Sequence, residues 1–358
     1  MHPILFQIVI PAGWGKPAAV LAVLLVVAFR AISGWRGAKR EGDKVGVGRL
    51  VREDVGTTGV LGAALAALWK LGYLEGEIRL PLHSYGLLIA SAFLVGIWLA
   101  QREARRRGQD PERLADLSFW ILVAALVGSR VFFVLVNYDD YFGSRAVVST
   151  AVGRIPRLLA FWEGGLVFYG GFIGAALTAW WYMRRAKMPF LAHADTLIPS
   201  VAFGHFLGRL GCFFAGCCWG GVAGGHLPWA VAFPPDSLAF QTFASRADPT
   251  TFLAADRHAT LPLHPVQLYE SFGELGLFLL LVLVVRPRKA FHGQVLATWL
   301  LSYAVLRTVV EFFRADVERG VVRGFGVGQW TSLAIFVAGA AIWAKARAGA
   351  TAARAAAA

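Results

Sequence analysis

Apolar runs long enough to cross a lipid bilayer recur from one end of this chain to the other, and they leave it few ways to fold. Inside hydrocarbon every backbone N–H and C=O must find a partner within the protein, so such runs become helices packed into a bundle. Windows of about 17 to 22 apolar residues, the length that spans a bilayer, fall near 17–33, 56–74, 84–100, 115–136, 164–183, 196–215, 268–286, 294–313 and 326–345. Only 16% of the 358 residues are charged and 57% are hydrophobic, against about 25% charged in an ordinary soluble domain. The expected fold class is an all-α polytopic membrane protein.

A net charge of +13 would suit a nucleic-acid binder if the basic residues formed one patch, but they do not. They stand in short blocks between the apolar runs: WRGAKR, QREARRRGQ, YMRRAKM, RPRKAF and KARAGATAARA. Lys and Arg in that pattern mark the cytoplasmic loops of a membrane protein, so no nucleic-acid partner is expected. With the block after Ala100 inside, residues 137–163, 216–267 and 314–325 lie outside, as does the N-terminus, and the C-terminus is cytoplasmic. MHPILFQIVIPAGWGKP offers only Lys16 as a basic start and no small-residue cleavage site, which argues against a secretory signal peptide. All three cysteines, Cys212, Cys217 and Cys218, sit in one short segment and make no disulfide framework.

No repeat of fixed period is visible. The segments MHPILFQI and LPLHSYG read as one N-terminal lead-in whose halves are pushed apart, so 1–8 is taken as a lead-in and 9–79 as an insertion carrying two extra membrane helices. Residues 80–345 then form the main membrane domain, with the Pro-, Gly-, Asp- and Ser-rich stretch 216–267 as an external head. The Ala-rich, basic tail 346–358 is expected to fray in the cytoplasm.

Charged groups at membrane depth cost about 2.5 to 3.5 kcal/mol on insertion scales, so each needs a reason. In SYAVLRTVVEFFRAD, Tyr303, Arg307, Glu311 and Arg314 share one helix face. In GHFLGRLGC, His205 and Arg209 lie one turn apart, and in LVGSRVFFVLVN, Arg130 and Asn137 lie two turns apart. One inward arginine is often half of a structural ion pair, and Arg307 with Glu311 fits that reading. Arginines from three helices without enough carboxylates nearby point instead to an anionic ligand, for which the planar guanidinium fork suits a phosphate. FWEGGLVFYGGFIG places Tyr169 beside Gly170 and Gly171; paired glycines alone mean helix packing, but the tyrosine is the informative residue, and with it the two glycines are counted among the candidate residues that contact the substrate. His83 and Tyr85 in LHSYG, and His264, Gln267, Tyr269 and Glu270 in LHPVQLYE, begin helices at the outer interface, where Tyr and His are ordinary belt residues. The cysteines match no recognised zinc spacing and have no evident base beside them, so they read as small apolar packing residues.

Taken in order, GGLVFYGGFIG, GRLGCFFAGCCWG, HPVQLYE and YAVLRTVVEFFR resemble the motifs of the prolipoprotein diacylglyceryl transferase family. The likeness runs from about His83 to Trp343 and takes in MHPILF. It implies a seven-helix core with an external head, in the bacterial cytoplasmic membrane, and a site opening to the outer leaflet. The family moves the diacylglyceryl group of phosphatidylglycerol to the lipobox cysteine of a prolipoprotein, forming a thioether and releasing glycerol 1-phosphate. By resemblance its two essential arginines fall on Arg209 and Arg307, and Tyr85, Tyr303, Glu311, Arg314, His264 and Gln267 fall on other polar positions of its pattern. No metal or nucleotide cofactor is implied.

Two departures stand out. Tyr169 occupies the position where many members carry a histidine read as a base for the thiol, and Cys212 replaces the signature asparagine, with Cys217 and Cys218 following. A tyrosine titrating near ~10 is a poor base at neutral pH. By spacing, His205 is the substitute candidate, with His264 second. Two other readings remain: a transporter or channel for an anionic solute, which would be expected to show duplicated halves, and a catalytically silent lipid- or lipoprotein-binding paralogue.

Overall fold

In a computed structural model of the protein, residues 4–10, 78–142, 147–150, 153–156, 165, 167–224, 227–246, 248, 251–314, 321–322 and 325–357 are described. The windows at 17–33 and 56–74, and with them nearly all of the 9–79 insertion, lie outside the described residues. Among those described, seven long helices stand where the apolar runs predict them: α1 (Ser84–Arg106), α2 (Pro111–Val136), α3 (Phe168–Arg185), α4 (Phe190–Ala215), α5 (Val266–Leu280, continued by a π-turn Leu281–Val285), α6 (Gln294–Glu311) and α7 (Val327–Ala357). Five of these (α1, α2, α4, α5 with its extension, and α7) are long and apolar enough to cross a membrane. The other two carry Arg184 and Arg185, or Arg307 and Glu311, within a shorter helix. The protein is a predominantly helical, multi-pass membrane protein.

Short two-stranded ribbons accompany the helices. β1 (Ile4–Ile10) pairs with β2 (Ile78–His83), so backbone hydrogen bonds join the two segments that the sequence reads as one lead-in. β3 (Val147–Thr150) and β4 (Gly153–Pro156) form an antiparallel hairpin, as do β5 (Val321–Val322) and β6 (Phe325–Gly326). By contacts, Met1–Leu5, His83–Val136 and Gly165–Ala358 form one compact unit, and Phe6–Leu82 with Asn137–Gly164 form another. The second unit includes a short helix, Tyr138–Phe142, whose terminal rings stack at 4.6 Å.

Local chemistry accounts for the helix boundaries in the first unit. Pro111 opens α2 where its missing N–H costs nothing, and Asp110 Oδ1 accepts from the backbone of Glu112 at 3.0 Å and Arg113 at 3.2 Å. Arg105 and Arg106 end α1, where positive charge offsets the exposed carbonyls. Among the described residues, the loops that bear basic blocks gather at one end. Gln109 bonds Ala192 O and Thr196 at the start of α4, and Arg286 beyond α5 pairs with Glu103 in α1. Fully buried Asp195 accepts from Gly293 N at 2.7 Å and Leu296 N at 2.9 Å, capping α6, and meets Lys289 Nζ at 2.7 Å. The Ala-rich tail, expected to fray, instead continues α7 to Ala357, and Arg354 donates to Ala290 O at 3.1 Å. Alanine has the highest helix propensity of any residue, which the frayed-end expectation discounted.

At the other end, between α4 and α5, Phe233, Ala239, Phe243, Leu253 and Leu263 form a small core of their own. Phe243 and Phe252 stack at 4.4 Å, with the Arg246 guanidinium about 5 Å from both rings (4.9 and 5.0 Å).

The α2–α3 contact rests on glycine. A Cβ on Gly128 would enter the Gly170 carbonyl, one on Gly170 the Gly128 carbonyl, and one on Gly174 the Ala124 carbonyl. Gly170 and Gly171 are accordingly buried against α2, and the geometry gives them a packing role in place of the lipid contact the sequence suggested. Gly276 on α5, by contrast, has nothing within 4 Å of its Cβ position. Gly170→Val should force α2 and α3 apart and cost about 1–3 kcal/mol, read as a lower melting temperature in detergent. Gly276→Ala should be neutral or slightly stabilising, and equal behaviour of the two variants would refute the close-packing account.

Candidate active site

The inward charges of the sequence meet where three helices face one another. α4 contributes His205 and Arg209, α5 contributes Glu270 and Glu274, and α6 contributes Trp299, Tyr303, Arg307 and Glu311, each four residues after the last. Spacings of one turn put each set on one face, so the three faces interlock as a polar strip through an apolar bundle. Both glutamates are 0% exposed.

A single chain of bonds links all of them but Arg307 and Glu311, which pair with each other. Trp299 Nε1 donates to Glu274 Oε2 at 3.2 Å, and Glu274 Oε1 lies 2.8 Å from His205 Nδ1. Arg209 Nε donates to His205 Nε2 at 3.3 Å, so that nitrogen is an acceptor and Nδ1 carries the proton. Arg209 Nη2 donates to Glu270 Oε1 at 2.8 Å, and Tyr303 Oη reaches the same oxygen at 3.4 Å. The Tyr303 ring is sandwiched between Trp299, stacked at 5.4 Å, and His205, also at 5.4 Å. Arg307 pairs with Glu311 at 2.5 Å, and a side chain on Gly328 of α7 would collide with that carboxylate. Arg209, His205, Arg307 and Arg314 all lie within electrostatic reach of Glu270.

This geometry corrects one premise. Arg209 and Arg307 do converge, without Arg130 and not without carboxylates: Glu270 takes Arg209, Glu311 takes Arg307, and Glu274 takes His205. An unpaired buried charge costs several kcal/mol, so the apolar bundle supplies each cation with a partner. The two bonds made by Arg209 use two of the five N–H donors of its fork, so they aim the guanidinium without exhausting it. Glu270 Oε2 and Gln267 Oε1 are buried with no hydrogen-bond partner among the described residues.

The other expected residues divide. Gln267 anchors the turn after α4 by donating to Cys217 O at 2.7 Å, and Tyr85 packs on Gly211 within reach of Arg209 and the three cysteines. His264 lies 3.3 Å from Tyr269 Oη, in an aromatic group with Phe313. His83 is exposed at the cap of α1. Arg130 is buried on α2, donating to Gly165 O at 3.3 Å above the Phe133 ring, contacts that hold it to the α2–α3 pair. Tyr169 is 47% exposed beside Phe168, and Asn137 belongs to the second unit. Sequence reasoning passed over Glu274 and Trp299 and took Glu270 for an interface residue. Two acids one turn apart in VQLYESFGELGLFLL carried the signal, since each is as costly at membrane depth as an arginine. It also took the cysteines for packing, whereas their sulfurs all lie within 4.8 Å of one another.

Residues 75–345 match the model of the prolipoprotein diacylglyceryl transferase family. The chain belongs to that family. It is similar to a protein named phosphatidylglycerol–prolipoprotein diacylglyceryl transferase from Photorhabdus laumondii, 33% identical over 265 residues, covering 73% of this chain and 87% of that protein. Like-named proteins from Proteus mirabilis (34% identical; 72% and 85% covered) and Nostoc sp. (31%; 72% and 83%) match similarly. The matched region begins after the windows at 17–33 and 56–74.

The buried pair yields a stability contrast. Glu270→Ala leaves Arg209 facing only a neutral imidazole and should cost about 3–5 kcal/mol, whereas Glu270→Gln, which keeps an acceptor oxygen, should cost less. Similar melting temperatures for both variants and the parent would show that the pair does not hold α4 to α5.

Proposed function

We propose that the protein transfers the diacylglyceryl group of phosphatidylglycerol to the lipobox cysteine thiol of prolipoproteins, in the bacterial cytoplasmic membrane, forming a thioether and releasing glycerol 1-phosphate. The observation that carries this is that Arg209 on α4, Arg307 on α6 and Arg314 just beyond α6 all lie within electrostatic reach of Glu270, a fully buried carboxylate on α5. Family membership sets the chemistry; this geometry suggests how the chain's own residues perform it. The relatives' names favour it over an anion transporter or a silent paralogue.

A phosphodiester leaves from carbon only if the charge that collects on it is stabilised. Arginines held in place by carboxylates provide that without reorganising as the bond breaks. In this reading Arg209, steered by Glu270 and His205, and Arg307, steered by Glu311, turn their remaining N–H groups to the phosphate, and Arg314 adds a third charge. The unpartnered Glu270 Oε2 suits a hydroxyl of the lipid's glycerol headgroup. Both nitrogens of His205 are engaged, so it acts as a positioning residue for Arg209 instead of as the base its spacing suggested. An apolar groove of about 500 Å³ between α6 and α7, lined by Val305, Val309, Phe312, Trp330, Leu333 and Phe336, suits acyl chains. It opens on the helix that carries Arg307 yet is lined by no charged residue. Seven helices form the family core, and the head at 216–267 faces the periplasm, with the N-terminus outside and the C-terminus in the cytoplasm.

The test incubates purified protein with phosphatidylglycerol and a lipobox peptide, following peptide mass and freed glycerol phosphate. The expected product carries one diacylglyceryl group, and a peptide with Cys→Ser gives none. Arg209→Gln should lower the rate by about 10²–10³-fold, the loss typical of a donor aimed at developing charge. His205→Gln should cost at least about tenfold through misplaced Arg209 while lipid binding survives. No product from the parent protein, or an unaltered rate in Arg209→Gln, refutes the reading.

A further inference from the structure

Cys212, Cys217 and Cys218 have no task in the reaction described, yet the backbone is bent to bring them together. Cys212 lies in the last turn of α4; Gly216 ends that helix in the left-handed region (φ 66°), and Cys217 N donates back to Cys212 O at 3.0 Å. Cys218 is also left-handed (φ 60°). For a residue with a Cβ that conformation costs about 1–2 kcal/mol and persists only where the surroundings impose it. Here Gln267 clamps the Cys217 carbonyl and Ala239 N bonds Gly216 O. The three Sγ atoms fall within 4.8 Å of one another, and none is in a disulfide.

Three thiolates around one tetrahedral ion with bonds of about 2.3 Å would stand roughly 3.8 Å apart, so at most about an ångström of closure per pair completes a site. Thiolates select soft or borderline ions such as zinc over calcium or magnesium. Among the described residues no histidine or carboxylate joins the group as a fourth ligand. Three protein ligands with one open position is the arrangement of catalytic rather than structural zinc. Arg209 lies within electrostatic reach of Cys212 and Cys218, and Arg314 within reach of Cys218, so the cluster borders the arginines assigned to the lipid phosphate.

We propose that Cys212, Cys217 and Cys218 hold a zinc ion whose fourth position takes the thiol of the incoming peptide. This rests on the transfer reaction proposed above and supplies the activation that exposed Tyr169 and fully engaged His205 do not. A zinc-bound hydroxide accepts the peptide thiol's proton and leaves as water, and the sulfur binds zinc as thiolate. That thiolate attacks the glyceryl carbon bearing the phosphate ester. The carbon–sulfur bond forms as the carbon–oxygen bond breaks, the bonding pair passing to the phosphate oxygen beside Arg209. The neutral thioether is a poor ligand and departs, and water refills the position. A free thiol titrating near ~8.5 is only a few per cent ionised at neutral pH, whereas a zinc-coordinated thiol is deprotonated outright.

Full-length protein purified in detergent under reducing conditions should contain about one zinc ion per chain by elemental analysis. Cobalt exchanged into the site should give the thiolate charge-transfer and intense visible bands of a tetrahedral site. Those bands should shift on adding a lipobox peptide but not its Cys→Ser form. Cys212→Ser, Cys217→Ser and Cys218→Ser should each lose most of the metal, and chelator-stripped parent protein should slow at least tenfold and recover with zinc. Three reactive thiols without zinc or cobalt bands, a mass two hydrogens light from a disulfide, or full-rate transfer by metal-free protein would each overturn the proposal. The last would leave the transferase reading standing, whereas zinc-loaded protein that transfers nothing to the peptide would overturn both the mechanism and that reading.

Discussion

A guanidinium buried between membrane helices cannot stand alone, and the bond from Arg209 to Glu270 is the constraint on which the rest of this protein is arranged. The pair joins α4 to α5 at 2.8 Å in a bundle otherwise made of apolar side chains and glycine contacts. Removing water raises the cost of each charge and the value of each well-placed partner together. Such a pair therefore fixes geometry more than it adds stability. Its consequence is a polar strip in which His205, Glu274, Trp299 and Tyr303 each have a defined partner.

The scaffold around that strip is simple by comparison. α2 and α3 touch through glycines, and the loops carrying the basic blocks are tied together at one end by Asp195, Glu103 and Gln109. At the opposite end Phe233, Phe243 and their neighbours make a separate core, and Gln267 of α5 holds the bent Gly216–Cys218 turn. Rigid packing at one end and an over-determined turn at the other leave the arginines between them oriented before any lipid arrives, which is what stabilising a departing phosphate requires.

The helices were legible because a bilayer imposes length and apolarity directly on sequence, and seven of the predicted windows coincide with long helices among the described residues. Arg209, Arg307 and Arg314 were legible for the same reason, as charges that hydrocarbon penalises. Glu270, which takes Arg209, and Glu274, which takes His205, were equally written in the sequence, but their membership of the cluster depends on which face α5 turns to α4. Gly170 and Gly171 were misread for a related cause: a paired glycine admits either a ligand or a helix, and only the presence of Gly128 opposite decides. The cysteine cluster was beyond pattern reading, since spacings of five and one match no familiar ligand set and close only through two consecutive departures to left-handed backbone, at Gly216 and Cys218.

The account treats the Arg209–Glu270 pair as a device for aiming one guanidinium from α4, not merely as a clasp between helices. Exchanging the two residues, Arg209→Glu with Glu270→Arg, separates those roles, because the clasp is restored while the guanidinium is moved to α5. The decisive measurement is the diacylglyceryl transfer rate of that double variant, taken alongside its melting temperature. Near-parental melting with transfer still reduced by about 10²-fold or more is the predicted result, and recovery of transfer together with stability would contradict it.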